Sequence, residues 1–311
     1  MRRRHRAFAS GILAVLVAGA ASLSGQEQPV VPTFRSGVDL VALTATVQRP
    51  DGSFVGDLQA GDFRVFENGV PQTLAFFGSE NVSVDLLLLI DNSASMYSQL
   101  PAVQHAAQIL VDALGPNDRV TALSFGGAVH QRNAPTTDKE QAKAAIRQLR
   151  AGGGTPLYDA LYIALRNLSA NRQEMRRRAI VVLTDGDDTT SLMSFDAVIE
   201  AAHQSSVAVY IVSMQVVPTL DRAKTTRRMQ SEYEMRTLAA DTGARFLQNA
   251  DAENLDNAYR AIARELTHQY TLGYVPDEHA RTPARKFRPI SILVSGQNLV
   301  VRARRGYLAR Y

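Results

Sequence analysis

Residues 84–96 read VDLLLLIDNSASM, an apolar run that gives way abruptly to polar residues. The run at 84–90 has the composition of a β-strand that is buried on both faces of a sheet. Asp91, Ser93 and Ser95 alternate along the loop that follows. Because ligands bind at the carboxyl ends of the strands in an open α/β sheet, we expect these three side chains to face one point at that edge.

Short apolar runs alternate with helical periodicity through residues 83–269. Apolar residues spaced by three and four positions predict a helix over 101–114, which Gly115-Pro116 ends. Further strands are predicted at 119–125, 128–132, 179–183, 208–214 and 245–248, and further helices at 139–149, 158–168, 194–205, 232–241 and 254–267. The alternation predicts the α/β class, with a doubly wound, mostly parallel sheet of the Rossmann-like kind. Its antiparallel edge strand is the one at 128–132, which follows the tight Gly126-Gly127 turn.

Strand character returns on both sides of this region, in an N-terminal β segment at 31–82 and a C-terminal β segment at 270–311. Strands are predicted at 38–47, 63–66, 73–77, 270–275, 287–294 and 299–304, with Asn68-Gly69 as a turn between the second and third of them. Each segment alone has about three strands, which is marginal for independent stability. We therefore expect the two segments to pair in one small β-sandwich-like unit, into which the α/β domain is inserted.

Two more loops carry oxygen donors to the same edge of the predicted sheet. The strand at 179–183 leads into Thr184 and Asp185, and a glycine-rich loop at 152–154 leads into Thr155 at the start of a helix. Hydroxyl and carboxylate oxygens suit a hard cation such as magnesium, and the absence of cysteine disfavours a soft metal. The joint pattern predicts a metal site made of Asp91, Ser93, Ser95, Thr155 and Asp185. Each motif alone has a simpler interpretation, as a helix cap, a turn or a flexible connection.

With these motifs in order, residues 83–269 resemble the von Willebrand factor type A family. Its metal-ion-dependent adhesion site has the pattern Asp-x-Ser-x-Ser, a distant Thr, and an Asp after the fourth strand, and all five residue types are present here. The resemblance implies that Ser93, Ser95 and Thr155 ligate Mg2+ directly, with Mn2+ or Ca2+ as alternatives, while Asp91 and Asp185 act largely through water. It also implies that a partner protein's acidic residue is the last ligand. The flanks, at 62–72, 270–274 and 302–307, resemble an exported bacterial subgroup of this family.

The basic isoelectric point of about 9.4 comes largely from the N-terminus. The chain has 34 basic and 30 acidic residues, and without the four N-terminal arginines there would be 30 of each (Arg2, Arg3, Arg4 and Arg6). The composition therefore gives no reason to expect nucleic-acid binding. The basic start followed by an apolar stretch at 7–21 predicts a signal peptide at residues 1–25, or an uncleaved anchor as the alternative. The protein is expected to be exported, to the periplasm or outside the cell, with no stable membrane span after cleavage.

The leading functional hypothesis is a non-enzymatic, adhesion-type module that binds a partner protein through the metal. A metal-assisted hydrolase is the first alternative, although the sequence shows no Gly-x-Ser-x-Gly elbow and no histidine in the three loops. A structural or assembly subunit with a vestigial metal site is the other. A hydrolase screen with and without magnesium distinguishes the first alternative from the leading hypothesis. Metal titration distinguishes the second alternative from it.

Overall fold

The computed structural model describes residues 40–79, 82–170, 175–185, 188–214, 222–250, 254–276 and 286–309. The predicted signal peptide at 1–25 lies outside the described residues. In chain order the strands are β1 (Val41–Gln48), β2 (Phe63–Glu67), β3 (Val70–Gln72), β4 (Leu74–Gly78), β5 (Val84–Asp91), β6 (Arg119–Gly126), β7 (Ala128–Gln131), β8 (Arg177–Thr184), β9 (Val207–Met214), β10 (Phe246–Ala250), β11 (Gln269–Tyr274), β12 (Phe287–Val294), β13 (Val300–Ala303) and β14 (Gly306–Leu308). The helices are α1 (Leu100–Ala113), α2 (Lys139–Arg147), α3 (Leu157–Ala170), α4 (Phe195–Gln204), α5 (Arg222–Asp241) and α6 (Leu255–Thr267).

The centre of the α/β domain is a six-stranded sheet in the order β10-β9-β8-β5-β6-β7. All its pairings are parallel except that of β6 with β7, which is antiparallel at the sheet edge. Helices α1, α2 and α6 pack on one face, and α3, α4 and α5 on the other. β5 lies in the middle, and its leucines point alternately into the two apolar cores, which explains the uninterrupted apolar run in the sequence. The doubly wound fold class is confirmed.

The flanking segments form two four-stranded antiparallel sheets that share one core. Their orders are β13-β1-β11-β4 and β14-β12-β2-β3, so each sheet takes two strands from either side of the α/β domain. The shared core includes Leu43, Phe63, Tyr270, Leu272 and Ile290. The predicted pairing of the N- and C-terminal segments in one sandwich is therefore confirmed.

The turn at Asn68-Gly69 corrects the prediction for the strands around it. The segment predicted at 73–77 does not pair with β2; the hairpin partner of β2 is β3, at residues 70–72, and its other neighbour is β12. Asn68 and Gly69 both have positive φ, 51° and 79°, as a two-residue hairpin turn requires, and such a turn pairs the residues that directly flank it. β4 instead crosses to the other sheet and pairs with β11.

Two further boundaries differ from the prediction. Helix α5 begins at Arg222, ten residues before the predicted start at residue 232. Its first half carries exposed polar residues and lacks an apolar face, so hydrophobic periodicity could not detect it. Strand β14 has only three residues and was missed for its length.

A buried carboxylate joins the α/β domain to the sandwich. Glu265 on α6 is fully buried, and Tyr210 of β9 donates its hydroxyl to Glu265 Oε1 at 2.8 Å. Arg302 of β13 forms an ion pair with the same oxygen. Gln269, the first residue of β11, donates to Tyr210 Oη at 2.7 Å. Because a buried charge is stable only when it is paired and hydrogen-bonded, this network fixes α6 against both units.

Within the described ranges, no helix is both long and apolar enough to cross a membrane.

Candidate metal centre

Asp91 is the last residue of β5, and its carboxylate is held from two sides. The side chain is fully buried. The backbone N–H of Ser93 donates to Asp91 Oδ1 at 2.9 Å, and the Thr184 hydroxyl, at the end of β8, donates to Asp91 Oδ2 at 2.8 Å. Because β5 and β8 are adjacent parallel strands, their ends bring Asp91 and Thr184 together at one edge of the sheet.

The environment of Asp91 is unfavourable to its negative charge. Burial raises the pKa of Asp91 to about 6, and the negative charge of Asp185 acts in the same direction, against the hydrogen bonds from Ser93 and Thr184. Both of these hydrogen-bond donors are neutral groups. A divalent cation beside the carboxylate would supply the compensating positive charge, so the electrostatics of this position fit a metal ion.

The two serine hydroxyls of the same loop lie side by side. Ser93 is buried and Ser95 is exposed, and their Oγ atoms are 3.0 Å apart. Neighbouring ligands of an octahedral magnesium ion, each at roughly 2.1 Å, are themselves separated by about 3 Å. The spacing of these oxygens therefore fits joint ligation of one small cation.

Backbone hydrogen bonds fasten the glycine-rich loop to the loop after β5. Gly152 N–H donates to the Asn92 carbonyl at 2.8 Å, and Ala94 N–H donates to the Gly153 carbonyl at 3.0 Å. Gly153 has a φ of +79°, and a Cβ there would lie 2.5 Å from the backbone nitrogen of Gly127. Glycine is thus required at this point by both backbone conformation and space.

Thr155 is buried and is fixed by the loop that follows β8. Its N–H donates to Thr189 Oγ1 at 2.8 Å, and Thr189 N–H donates back to the Thr155 carbonyl at 2.9 Å. Asp188 Oδ1 accepts the N–H of Leu157 at 2.8 Å and so caps the first turn of α3. The loops that carry Thr155 and Asp185 are therefore bonded to each other.

The structure places the five predicted residues on three loops at one sheet edge. Direct contacts join Asp91, Ser93 and Ser95, while Asp185 is half-buried and acts on Asp91 through its charge. Among the described residues, no three His, Cys, Asp or Glu side chains lie close enough together to hold a metal ion between them. The predicted set is of another kind, since it has two carboxylates and three hydroxyls.

Sequence reasoning missed two threonines that support these residues. Thr184 bonds to Asp91 and Thr189 to Thr155, and neither was among the predicted site residues. The position of Thr184, directly before Asp185 at the end of a buried strand, was the available signal. Asp188, three residues after Asp185, contributes to the same edge as the cap of α3.

The family model for the von Willebrand factor type A (VWA) domain matches residues 85–261, more than half of the chain. The chain belongs to this family. The matched region begins in β5 and ends within α6, so it contains the three loops described above.

Similarity to known proteins extends over part of each of them. The chain is 32% identical over 114 residues to inter-alpha-trypsin inhibitor heavy chain H4 of Sus scrofa, and the alignment covers 34% of this chain and 12% of that protein. Calcium-activated chloride channel regulator 3A-1 of Mus musculus is 24% identical over 200 residues, 62% of this chain and 20% of that protein. The chain thus spans only a small part of the length of these curated relatives.

Two solved structures share the fold beyond the VWA domain. A von Willebrand factor type A protein from Catenulispora acidiphila has a TM-score of 0.50 at 11% identity. The superposition covers 87% of this chain and 75% of that protein's chain. The pilus adhesin SpaC of Lactobacillus rhamnosus GG, in its open conformation, has a TM-score of 0.50 at 10% identity, with coverage of 85% and 47%. At these identities the likeness concerns the fold.

Replacing Gly153 with alanine should distort the edge of the VWA domain that carries the three loops. The positive φ and the contact with Gly127 predict a loss of stability of about 1–3 kcal/mol. The Gly153 carbonyl, which accepts from the Ala94 N–H, would move with its loop. This displacement should also weaken binding at the proposed magnesium site by about tenfold. Thermal denaturation and magnesium titration measure the two effects.

Gly152→Ala is the matched control, because a Cβ at Gly152 would meet nothing within 4 Å and its φ lies outside the positive region. This control should behave like the wild type. Equal behaviour of Gly152→Ala and Gly153→Ala would show that the loop contact has no role in the site.

Proposed function

We propose that this chain is an exported protein-binding module whose VWA domain captures an acidic residue of a partner protein through bound Mg2+. VWA domains typically mediate protein–protein interaction. The observation that carries the proposal is the buried Asp91 carboxylate, whose donors among the described residues, the Ser93 N–H and the Thr184 hydroxyl, are neutral and which lies beside two serine hydroxyls 3.0 Å apart.

The proposed ligand set combines neutral and charged oxygens. Ser93, Ser95 and Thr155 would hold the ion through their hydroxyls, and Asp91 and Asp185 would supply negative charge beside it. Bound magnesium would supply positive charge that attracts a carboxylate. Since oxygen donors also suit other hard cations, Mn2+ and Ca2+ are the alternatives to Mg2+.

Binding is favoured over hydrolysis by where the histidines lie. A hydrolase would need a base within reach of the proposed metal site, and histidine is the side chain that most often has this role. His203 is at the end of α4, 3.0 Å from Asp241 and against the ring of Phe287 in the sandwich. His130 lies on the edge strand β7, and the loops of the proposed metal site contain no histidine. We therefore propose a non-enzymatic role.

Export is proposed from the sequence of residues 1–25, with the periplasm or the cell exterior as the compartment. Because the two proteins must meet, the proposed partner is one that is exposed in the same compartment.

Capture of short acidic peptides tests the proposed function. Capped peptides with a single aspartate or glutamate are presented to the protein in magnesium buffer and in EDTA, and binding is measured by NMR chemical-shift changes. We expect binding that needs the metal and is lost when the acidic residue is replaced by its amide. Equal binding in EDTA, or equal binding of the amide peptide, would contradict the proposal.

A further inference from the structure

A cleft opens beside the proposed metal site, between the ends of the central strands and helix α5. Its volume is about 140 Å³. Its walls come from the ends of β8, β9 and β10 on one side and from α5 on the other.

Four apolar side chains line the cleft, together with buried hydroxyls such as that of Ser231. Ile211 and Met214 of β9 and Met235 of α5 are almost fully buried, and Phe246 of β10 is half-buried beside them. An apolar cavity of about 150 Å³ is large enough for a benzene molecule. The cleft is therefore the size of one leucine, methionine or phenylalanine side chain.

The rim of the cleft is polar and fixed in place. Glu232 Oε1 accepts from Arg236 at 2.7 Å and from Gln248 Nε2 at 2.6 Å. The Arg236 guanidinium lies 4.6 Å from the centre of the Phe246 ring. A pocket with apolar walls and fixed polar groups around them is a common arrangement where one partner residue anchors a protein interface.

The cleft is continuous with the proposed metal site. Thr184 and Asp185 line it, and Thr184 also donates to Asp91. Successive residues of an extended peptide advance by about 3.4 Å, so a partner segment with its carboxylate at the metal has a neighbouring side chain within reach of the cleft. Met229 and Tyr233, which are 68% and 67% exposed, lie on the same helix outside the lining of the cleft.

We propose that this cleft is a specificity pocket for a leucine, methionine or phenylalanine side chain located one or two residues from the partner's acidic residue. This inference rests on the proposed function and narrows the partner to an extended acidic segment with an adjacent apolar residue. The metal site supplies the attraction for the carboxylate, and the cleft selects among carboxylate-bearing segments.

A panel of capped peptides tests the pocket. Each peptide has one aspartate, and either leucine or alanine at one or two positions before or after it, with glycine elsewhere. In saturating magnesium, the best leucine peptide should bind the wild-type protein about tenfold more tightly than its alanine counterpart, from burial of one leucine side chain. Peptide titrations followed by NMR give the affinities.

Ser213→Leu is the pocket variant, because Ser213 of β9 lines the cleft and leucine would fill it. This variant should bind leucine and alanine peptides equally, with the magnesium affinity of the wild type. Ser295→Leu makes the same change in an exposed sandwich turn and should keep the tenfold preference.

The outcomes separate the pocket from the metal mechanism. Magnesium-dependent binding of acidic peptides without any leucine preference would overturn the pocket and leave the proposed function standing. A leucine preference that survives in Ser213→Leu would also overturn it, because the apolar contact would then lie outside the cleft. Magnesium binding without capture of any acidic peptide would refute the proposed function and the pocket with it.

Discussion

Replacement of Asp91 with alanine is expected to weaken magnesium binding by about 100-fold or more and to abolish capture of acidic peptides. The reason is electrostatic, because Asp91 is the fully buried carboxylate of the proposed set and its donors, Ser93 and Thr184, are neutral. The fold should persist, because burial disfavours this charge and raises the pKa of Asp91 to about 6. Isothermal titration calorimetry and circular dichroism measure binding and fold.

Two further variants isolate the charge from other effects. Asp91→Asn keeps the shape of the side chain and should lose magnesium as Asp91→Ala does. Asp112→Ala removes an exposed carboxylate near the far end of α1, where it pairs with Lys143, and should bind magnesium normally. Wild-type magnesium affinity in Asp91→Asn would show that the carboxylate charge plays no part in the site.

Deletion of residues 270–311 is expected to unfold the sandwich. The deletion takes two of the four strands from each sheet. It also removes four buried core side chains, Tyr270, Leu272, Tyr274 and Ile290. At about 1.5–3 kcal/mol for each, their burial contributes about 6–12 kcal/mol, which is comparable with the total stability of a domain, about 5–15 kcal/mol. Limited proteolysis should then cleave within residues 41–78, and an unchanged melting curve would contradict the shared core.

Two leucines of the C-terminal segment provide a matched pair of point variants. Leu272 of β11 is fully buried, whereas Leu293 of β12 is 54% exposed. Leu272→Ala should lower the free energy of unfolding by about 2–5 kcal/mol, and Leu293→Ala by well under 1 kcal/mol. Equal effects of the two substitutions would place the sandwich core elsewhere.

The central sheet could be predicted because its strands are buried on both faces and separated by helices with clear apolar periodicity. The run at 84–90 and the run at 179–183 correspond to β5 and β8 with differences of only one or two residues at their ends. Helix α5 was predicted at half its length, because periodicity reports burial and the first half of this helix is largely exposed. The crossing of β4 to the other sheet depends on long-range pairing with β11, which no local pattern encodes.

The residues of the candidate site could also be predicted only where they form a local pattern in the sequence. Asp91, Ser93 and Ser95 form a local pattern, and the structure shows them in contact. The hydrogen bonds of Thr184 to Asp91 and of Thr189 to Thr155 join residues 93 and 34 positions apart, so they could be seen only in the folded chain. The cleft beside Asp185 is likewise made by side chains from separate strands and from α5.

Magnesium titration of the protein without residues 1–25, by calorimetry and in the presence and absence of an acidic peptide, tests the central claim most directly. The proposed site predicts saturable binding of one ion, tighter with the peptide than without it and lost in Asp91→Ala. Manganese and calcium, titrated in parallel, rank the preferred ion. Absence of saturable binding of any of the three ions, with or without the peptide, would contradict a metal-dependent function for this edge of the sheet.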